Sequence, residues 1–549
     1  MQTYHPGMDM FNIPESTPKN KSEFPSLYTI SEWSDPIQKR IWKAVRTNTS
    51  NTNKEECNVF VKTTHLLDPI RLIREEYSCP EHPLLPQGER AWKTTLQKLH
   101  SQNNQAYIDA TINYILSRFR EADLTPHCVL YYGAYTGISN TYNYCISGEY
   151  ASYRQCRWFW KGMHIHGAIL HVMKDNENID KDSEFSEKYN SMFGCPYGSF
   201  SSMVDLHPSR EEICDADNIS IHSYTFDDID ALTHTDIPPL DIPINEVLGG
   251  TLSTISGNST DTRKPIDLNI DNSSEDTEYD ISIELPNMPI IMIMQEAQEG
   301  TMDELLELKT IEGYLRGTKG WTLLWTAWLW QTMAALAFLQ KAICFTHNDL
   351  HTNNIVWRKT DKKYLFYGTK DGTRWRVPTF GRIFSIIDFG RSICRIRKTL
   401  LISDDHWPEH DADGQYNFGP FFDNKNPRVN PNPSFDLCRL AVSMIDGLFD
   451  KCPARKRGSS QYLSEEDSWK VKETVNQLYN LLWTWTLDDS GSTVYENKHG
   501  EEKYPGFELY IQIAKNVHGC EPYEQLRKPI FDRYKYNGKP KQGETVYYI

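Results

Sequence analysis

Two segments of this 549-residue chain gather side chains suited to moving a phosphoryl group. His347 to Trp357 reads HNDLHTNNIVW, and Ile383 to Ser392 reads IFSIIDFGRS. Phosphoryl transfer asks little covalent help of a protein. It needs a carboxylate to orient the incoming hydroxyl, and oxygen ligands to hold Mg²⁺ against the phosphates. Asp349 and Asn354, five residues apart on a loop, can divide those tasks between substrate and metal. Asp388, closing the apolar strand FSII, supplies a second hard anionic ligand, and Phe389-Gly390 lets the backbone turn away. Any one such residue more often caps or turns a chain than catalyses. Their joint occurrence, with a strand before the second segment, carries the reading.

Other elements must position these groups. Gly320 to Gln340 (GWTLLWTAWLWQTMAALAFLQ) carries no charge over a span long enough to cross a bilayer, which takes roughly 20 residues. Gln331, Gln340 and three Thr interrupt the run, so a buried helix leading into the loop at 347 is expected. Residues 25–62 alternate polar and apolar and close in NVFVK, a β-like run ending on Lys62. A helical pattern runs from Tyr107 to Phe119, with apolar residues at 108, 112, 115, 116 and 119. Pro126 ends it, and HCVLYYGAY reads as a strand entering a turn at Gly133. MPIIMIM, at 288–294, is an apolar run of strand length, and from 301 onward the pattern is mainly helical, broken by a Pro/Asn-rich loop at 403–433.

Composition bounds the alternatives. Hydrophobic residues make up 39% and aromatics 12%, enough for a sizeable core and too much for wholesale disorder. A net charge of −16 argues against a nucleic-acid partner held through phosphate contacts. The twelve Cys are scattered singly with no CxxC pair, and the polar N-terminus has no apolar signal region, so a soluble, intracellular chain is expected. Residues 1–25 read as a flexible leader. About 175–285, rich in Asp, Glu, Ser, Thr and Asn, reads as a largely disordered acidic insertion.

The pattern H-x-D-L-x-x-x-x-N followed by D-F-G resembles the catalytic and magnesium-binding loops of protein kinases. By position, Asp349 resembles the catalytic aspartate, Asn354 and Asp388 the metal ligands, and His347 the structural histidine opening the loop. IIMIMQEAQEGTMDELLEL (290–308) resembles the hinge between the lobes, which implies Met294 as gatekeeper and the backbone of Gln295, Glu296 and Ala297 against adenine. SFDLCRLAVSM (434–444) resembles the helix whose aspartate, here Asp436, braces the catalytic loop, and Lys62 resembles the lysine that clamps the α- and β-phosphates. Its partner would come from the helix at 107–119, where Asp109 is the nearest acid in place of glutamate. The ensemble is most similar to the divergent serine/threonine kinases of large DNA viruses, from about residue 55 to the end without the insertion. The resemblance implies an α+β, bilobal fold, with a β-rich N-lobe (26–294) and a helical C-lobe (295–549). It further implies ATP and Mg²⁺, protein Ser/Thr hydroxyls as acceptors, no membrane partner, and a place in the host cytoplasm or the virion.

The chain also departs from that pattern. No glycine lies between Gly7 and Gly88, so the glycine-rich phosphate loop is absent in its usual form. Asn348 replaces the arginine of H-R-D, and no A-P-E closes the activation segment. His351, where serine/threonine kinases carry lysine, also occurs in small-molecule kinases resembling aminoglycoside phosphotransferases; an imidazole there could stabilise charge on the transferring group. A pseudokinase scaffold is the third reading. Cys145, Cys156, His164 and His166 make a zinc set on paper, but their spacing matches no common framework. YRQCRWFWKGMHIHG (153–167) reads as an inserted hairpin packed on the N-lobe rather than a nucleic-acid platform.

Overall fold

In the computed structural model the described residues are essentially 24–78, 90–174, 280–416, 431–457 and 474–549, with breaks of one to four residues and short pieces elsewhere, among them 5–10. Most of the expected leader and nearly all of the expected insertion lie outside them. The fold is mixed α and β with antiparallel sheets.

The first half is organised by a seven-stranded sheet, counting a two-residue piece at 177–178. β1 (Tyr28–Gln38), β2 (Ile41–Asn48) and β3 (Lys54–His65) form a meander. β3 runs three residues past Lys62, so the lysine lies inside the strand rather than at its end. A short helix α1 (Pro69–Ile73), α2 (Lys93–His100) and α3 (Gln105–Glu121) follow. Asn104 caps α3 by accepting from the Ala106 N–H, which starts the helix two residues before the expected Tyr107.

β4 (Tyr131–Cys145) passes straight through Gly133, where a turn was expected. Gly133 has φ 141° and faces a register shift between Met294 and Gln295, so the glycine serves a bulge. The expected hairpin at 153–167 is helical instead: α4 (Arg157–Ile165) buries Phe159 and Met163. Phe159 and Met163 stand four places apart, one turn of a helix, and this face packs on α1. After β5 (Ile169–Lys174) comes β6 (Asp280–Glu296), a long central strand that starts inside the expected insertion. It pairs with β4 along one edge and with β3 and β5 along the other.

The described pieces of the leader are docked, not free: His5 stacks on Tyr107 at 5.4 Å and Phe24 on Tyr114 at 4.3 Å, both on α3.

The second half is built on α6 (Lys319–Ile343), reached through α5 (Met302–Glu307), whose Thr301 and Glu304 form a capping box. Trp325, Trp328 and Trp330 of α6 are fully buried. This is the one described helix long and apolar enough to cross a membrane, and 83% of its most apolar stretch is buried inside the protein. The mainly helical expectation for this half holds for the core but misses several strands. β7 (Ile355–Lys359), β8 (Tyr364–Gly368), β9 (Arg374–Pro378), β10 (Arg382–Ile386), β11 (Ile393–Ile396) and β12 (Thr399–Ile402) fold over α6. α7 (Phe435–Leu448), α8 (Gln477–Trp485) and α9 (Glu508–Asn516) follow, and β13 (Val546–Tyr548) returns parallel to β8.

Candidate functional site

The loop at 347–354 leaves α6 through Cys344, whose left-handed backbone (φ 48°) ends the helix. Its position is set from below by Asp436, in the first turn of α7. One carboxylate oxygen accepts the Asn348 N–H at 3.0 Å, and the pair accepts the His347 N–H at 2.9 and 3.1 Å. Burial pushes this carboxyl up, but His347 and the two N–H groups oppose it. The His347 ring reaches the Ile387 carbonyl at 2.8 Å, tying the loop to the strand that ends at Asp388.

Within the loop, the Asn354 side-chain NH₂ meets the Asp349 carbonyl at 3.0 Å and His351 Nε2 at 3.1 Å. His351 is held below the usual range, first by burial, so its neutral ring can accept. It is turned onto Asn354, where it orients that amide. With both amide hydrogens spent, Asn354 Oδ1 is the atom left to bind a ligand.

Lys62 joins three distant segments. Its Nζ lies 2.6 Å from Asp109 Oδ2 on α3 and 2.7 Å from Asp388 Oδ1 after β10. Burial pulls the lysine's pKa down and the two carboxylates outweigh it, so the ammonium is held charged above its usual range. Asp109 is nearly inaccessible and its second oxygen accepts the Phe389 N–H at 2.9 Å. Asp388 is half-exposed, with burial raising its pKa and Lys62, His347 and His351 together holding it below the usual range. Asp388 (φ 68°) and Asn348 (φ 65°) both take the left-handed backbone that Asp and Asn tolerate best among non-glycine residues.

The strand register corrects the expected adenine-side residues by one position. Directly opposed residues of an antiparallel pair share a face. Lys62 opposes Ile293 and Phe60 opposes Gln295, whereas Met294 opposes Val61. Met294 therefore points away from Lys62, into a small cluster with Ala44, Val59, Leu130 and Tyr132. Gln295 is the residue on the Lys62 face, buried, with its Oε1 lacking a hydrogen-bond partner. Glu296 faces the other way, onto Arg120. The N–H groups of Glu296 and Ala297 are spent on Leu130 and Asn58 carbonyls, so neither is free for a base edge.

Three groups here gave no local sequence signal. Tyr510, on α9, donates to Asp349 Oδ1 at 2.6 Å. Arg391 Nη1 stands 3.8 Å from Asp349 Oδ2. Beside it, a cavity of about 450 Å³ is lined by His65, Arg71, Lys98, Arg391, Asp405 and His410 among others. Among the described residues, Asp404, Asp405 and His410 have potential ligand atoms within 4.8 Å of one another. Lys98 pairs with Asp404 at 2.6 Å and Arg71 bonds the His410 ring at 2.8 Å, so the cluster already carries its own cations. The proposed zinc residues Cys145, Cys156, His164 and His166 do not form such a group.

No protein-family model matches the chain, and no curated protein matches it.

Proposed function

We propose that the chain is an ATP-dependent phosphotransferase with a bilobal, protein-kinase-like fold, acting on protein Ser or Thr hydroxyls. The observation that carries this reading is the Lys62 ammonium held between Asp109 and Asp388, at 2.6 and 2.7 Å, beside a loop that presents Asp349 and Asn354. A structural ion pair needs one carboxylate. A lysine placed between two, one of them half-exposed at 48%, suits a group that exchanges a carboxylate contact for phosphate oxygens.

The residues fit the implied groups. Asn354 Oδ1 and the Asp388 carboxylate are the hard oxygen donors Mg²⁺ prefers, and the metal would neutralise charge on the phosphates. The half-buried Phe60 and the unpartnered Gln295 oxygen flank Lys62 on one face of the sheet, which suits a flat, polar-edged base. Asp349 would hold the acceptor hydroxyl and take its proton late.

The test is transfer of label from γ-labelled ATP to the chain itself or to a generic protein substrate, with Mg²⁺. Wild type is expected to transfer label, and Asp349→Asn and Asp388→Ala to lose transfer while remaining folded by circular dichroism. Undiminished transfer in Asp388→Ala would remove the assignment. Absence of any thermal stabilisation by Mg-ATP at 100 times a supposed Kd, where about 2.7 kcal/mol is expected, would favour a scaffold instead.

A further inference from the structure

We infer that Tyr510 is the positioning residue of Asp349: its hydroxyl fixes carboxylate oxygen Oδ1 so that Oδ2 is the oxygen presented to the acceptor hydroxyl. The inference rests on the phosphotransferase reading above and deepens it.

The direction of the bond is determined. Arg439 Nε lies 3.1 Å from the Tyr510 hydroxyl, and a guanidinium can only donate. The Tyr510 oxygen therefore accepts from Arg439, and its one proton goes to Asp349 Oδ1 at 2.6 Å. Burial and then the Asp349 charge raise the Tyr510 phenol above its usual range, so it keeps that proton at physiological pH. The ring is held from both sides, 5.9 Å from Phe435 on α7 and stacked at 5.0 Å on Phe507. Arg439 also lies over its face at 5.2 Å.

A carboxylate on a loop turns freely about its last torsion. Here one oxygen is bonded and the other is not: the cation facing Oδ2, Arg391, stands at 3.8 Å, beyond hydrogen-bond length. The other titratable groups around the pair are His351, beside Asp349 and neutral, and Asp436, beneath the loop. A hydroxyl that merely plugged the acceptor place would have to leave before turnover. Tyr510, tied to Arg439 and wedged between two rings on a helix, is built to stay.

The test has two arms on the full chain. In the first, Tyr510→Phe is compared with wild type in the labelled-ATP assay across pH. The expected result is a fall in kcat of about tenfold with KM for ATP unchanged, as for loss of one charge-assisted hydrogen bond. The acidic limb should also move to higher pH, because the carboxylate has lost a donor that favours its charged form. A rise in kcat would mark Tyr510 as a plug, and an unmoved limb would mark it as structural; either overturns the inference. In the second arm, 3-fluorotyrosine at position 510 is titrated by ¹⁹F NMR in wild type and in Asp349→Asn. The phenol should titrate at lower pH once the charge is gone, whether or not the protein turns over ATP. No change overturns the contact itself. A shift together with a wild type inert toward ATP overturns the positioning role through failure of the phosphotransferase reading.

Discussion

Removing the carboxylate of Asp109 tests the arrangement around Lys62 most directly. Asp109 is 1% exposed and receives two donors, Lys62 Nζ at 2.6 Å and the Phe389 N–H at 2.9 Å. Asp109→Ala leaves that N–H buried without a partner, a cost of about 1–3 kcal/mol. It also strips Lys62 of its more buried counter-ion. The lysine keeps Asp388, whose half-exposed charge is better screened, so the second loss falls short of the 3–5 kcal/mol typical of a fully broken buried pair. The total is about 3–4 kcal/mol. Lys62→Met should itself be costly, because it leaves Asp109 charged with only the Phe389 N–H. The double variant removes both charges, so it should be less damaged than the sum of the singles by about 2 kcal/mol. Urea unfolding followed by the fluorescence of the buried tryptophans of α6 gives all four corners of the cycle. A coupling below about 0.5 kcal/mol would refute the pairing, whatever the size of the single effects.

Two further outcomes follow from packing and burial. At Gly162 of α4, an added Cβ would fall 1.8 Å from the Ile73 carbonyl oxygen of α1, backbone that cannot step aside. Gly162→Ala should therefore lower unfolding free energy by about 2–4 kcal/mol, and an unchanged melting temperature would show that the two helices do not meet there. Asp405 is 4% exposed with Oδ2 unbonded, and burial, then the Asp404 charge, push its carboxyl up to about 8. The folded form thus holds a proton that the unfolded chain releases near the ordinary value of 3.8. This contribution to stability is complete below pH 3.8 and lost as pH rises through about 8. Asp405→Asn should flatten stability over that window and exceed wild type above it. Parallel pH–stability curves for the two would refute the burial argument.

What could be read in the sequence was chemistry concentrated in short segments. Asp349, Asn354, Asp388 and His347 lie within two short motifs, and Asp436, whose carboxylate accepts from the loop's N–H groups, begins a helix with its own pattern. The pairing of Lys62 with Asp109 spans 47 residues and was reachable because Asp109 is the one acid within the 107–119 pattern. The hinge assignment slipped by one because MPIIMIM is apolar at every position. A strand with period 2 and no polar residue does not declare which side is which, and a one-residue slip reverses every side chain. The only cue was Gln295, the first polar residue after the run. The hairpin of β8 and β9 does carry a local signal, the Asp371-Gly372 turn between two short runs of strand-forming residues. Tyr510 had none: 161 residues separate it from Asp349, and nothing in an amphipathic helix marks which tyrosine will reach across.

Asn348, the departure from H-R-D, is explained by where it sits. It is fully buried, and each of its polar groups is used. Its N–H goes to Asp436, its side-chain amide donates to the Arg391 carbonyl at 2.9 Å and its side-chain oxygen accepts from Tyr416 at 2.5 Å. Its own carbonyl accepts from Gln415 at 3.1 Å. An arginine at this position would place a guanidinium in a fully buried site with Asp436 already committed to two backbone N–H donors, a desolvation cost of several kcal/mol. The amide makes neutral ties to the same neighbours at no such cost, and its left-handed backbone is one that Asn accepts. The segment after Asp388 is therefore fastened to the loop by uncharged hydrogen bonds, which neither salt nor a nearby phosphate would weaken. The loop is thus held by packing, by amide hydrogen bonds and by the Asp436 carboxylate beneath it, with Lys62 between its two acids and Asp349 on Tyr510 carrying charge alongside.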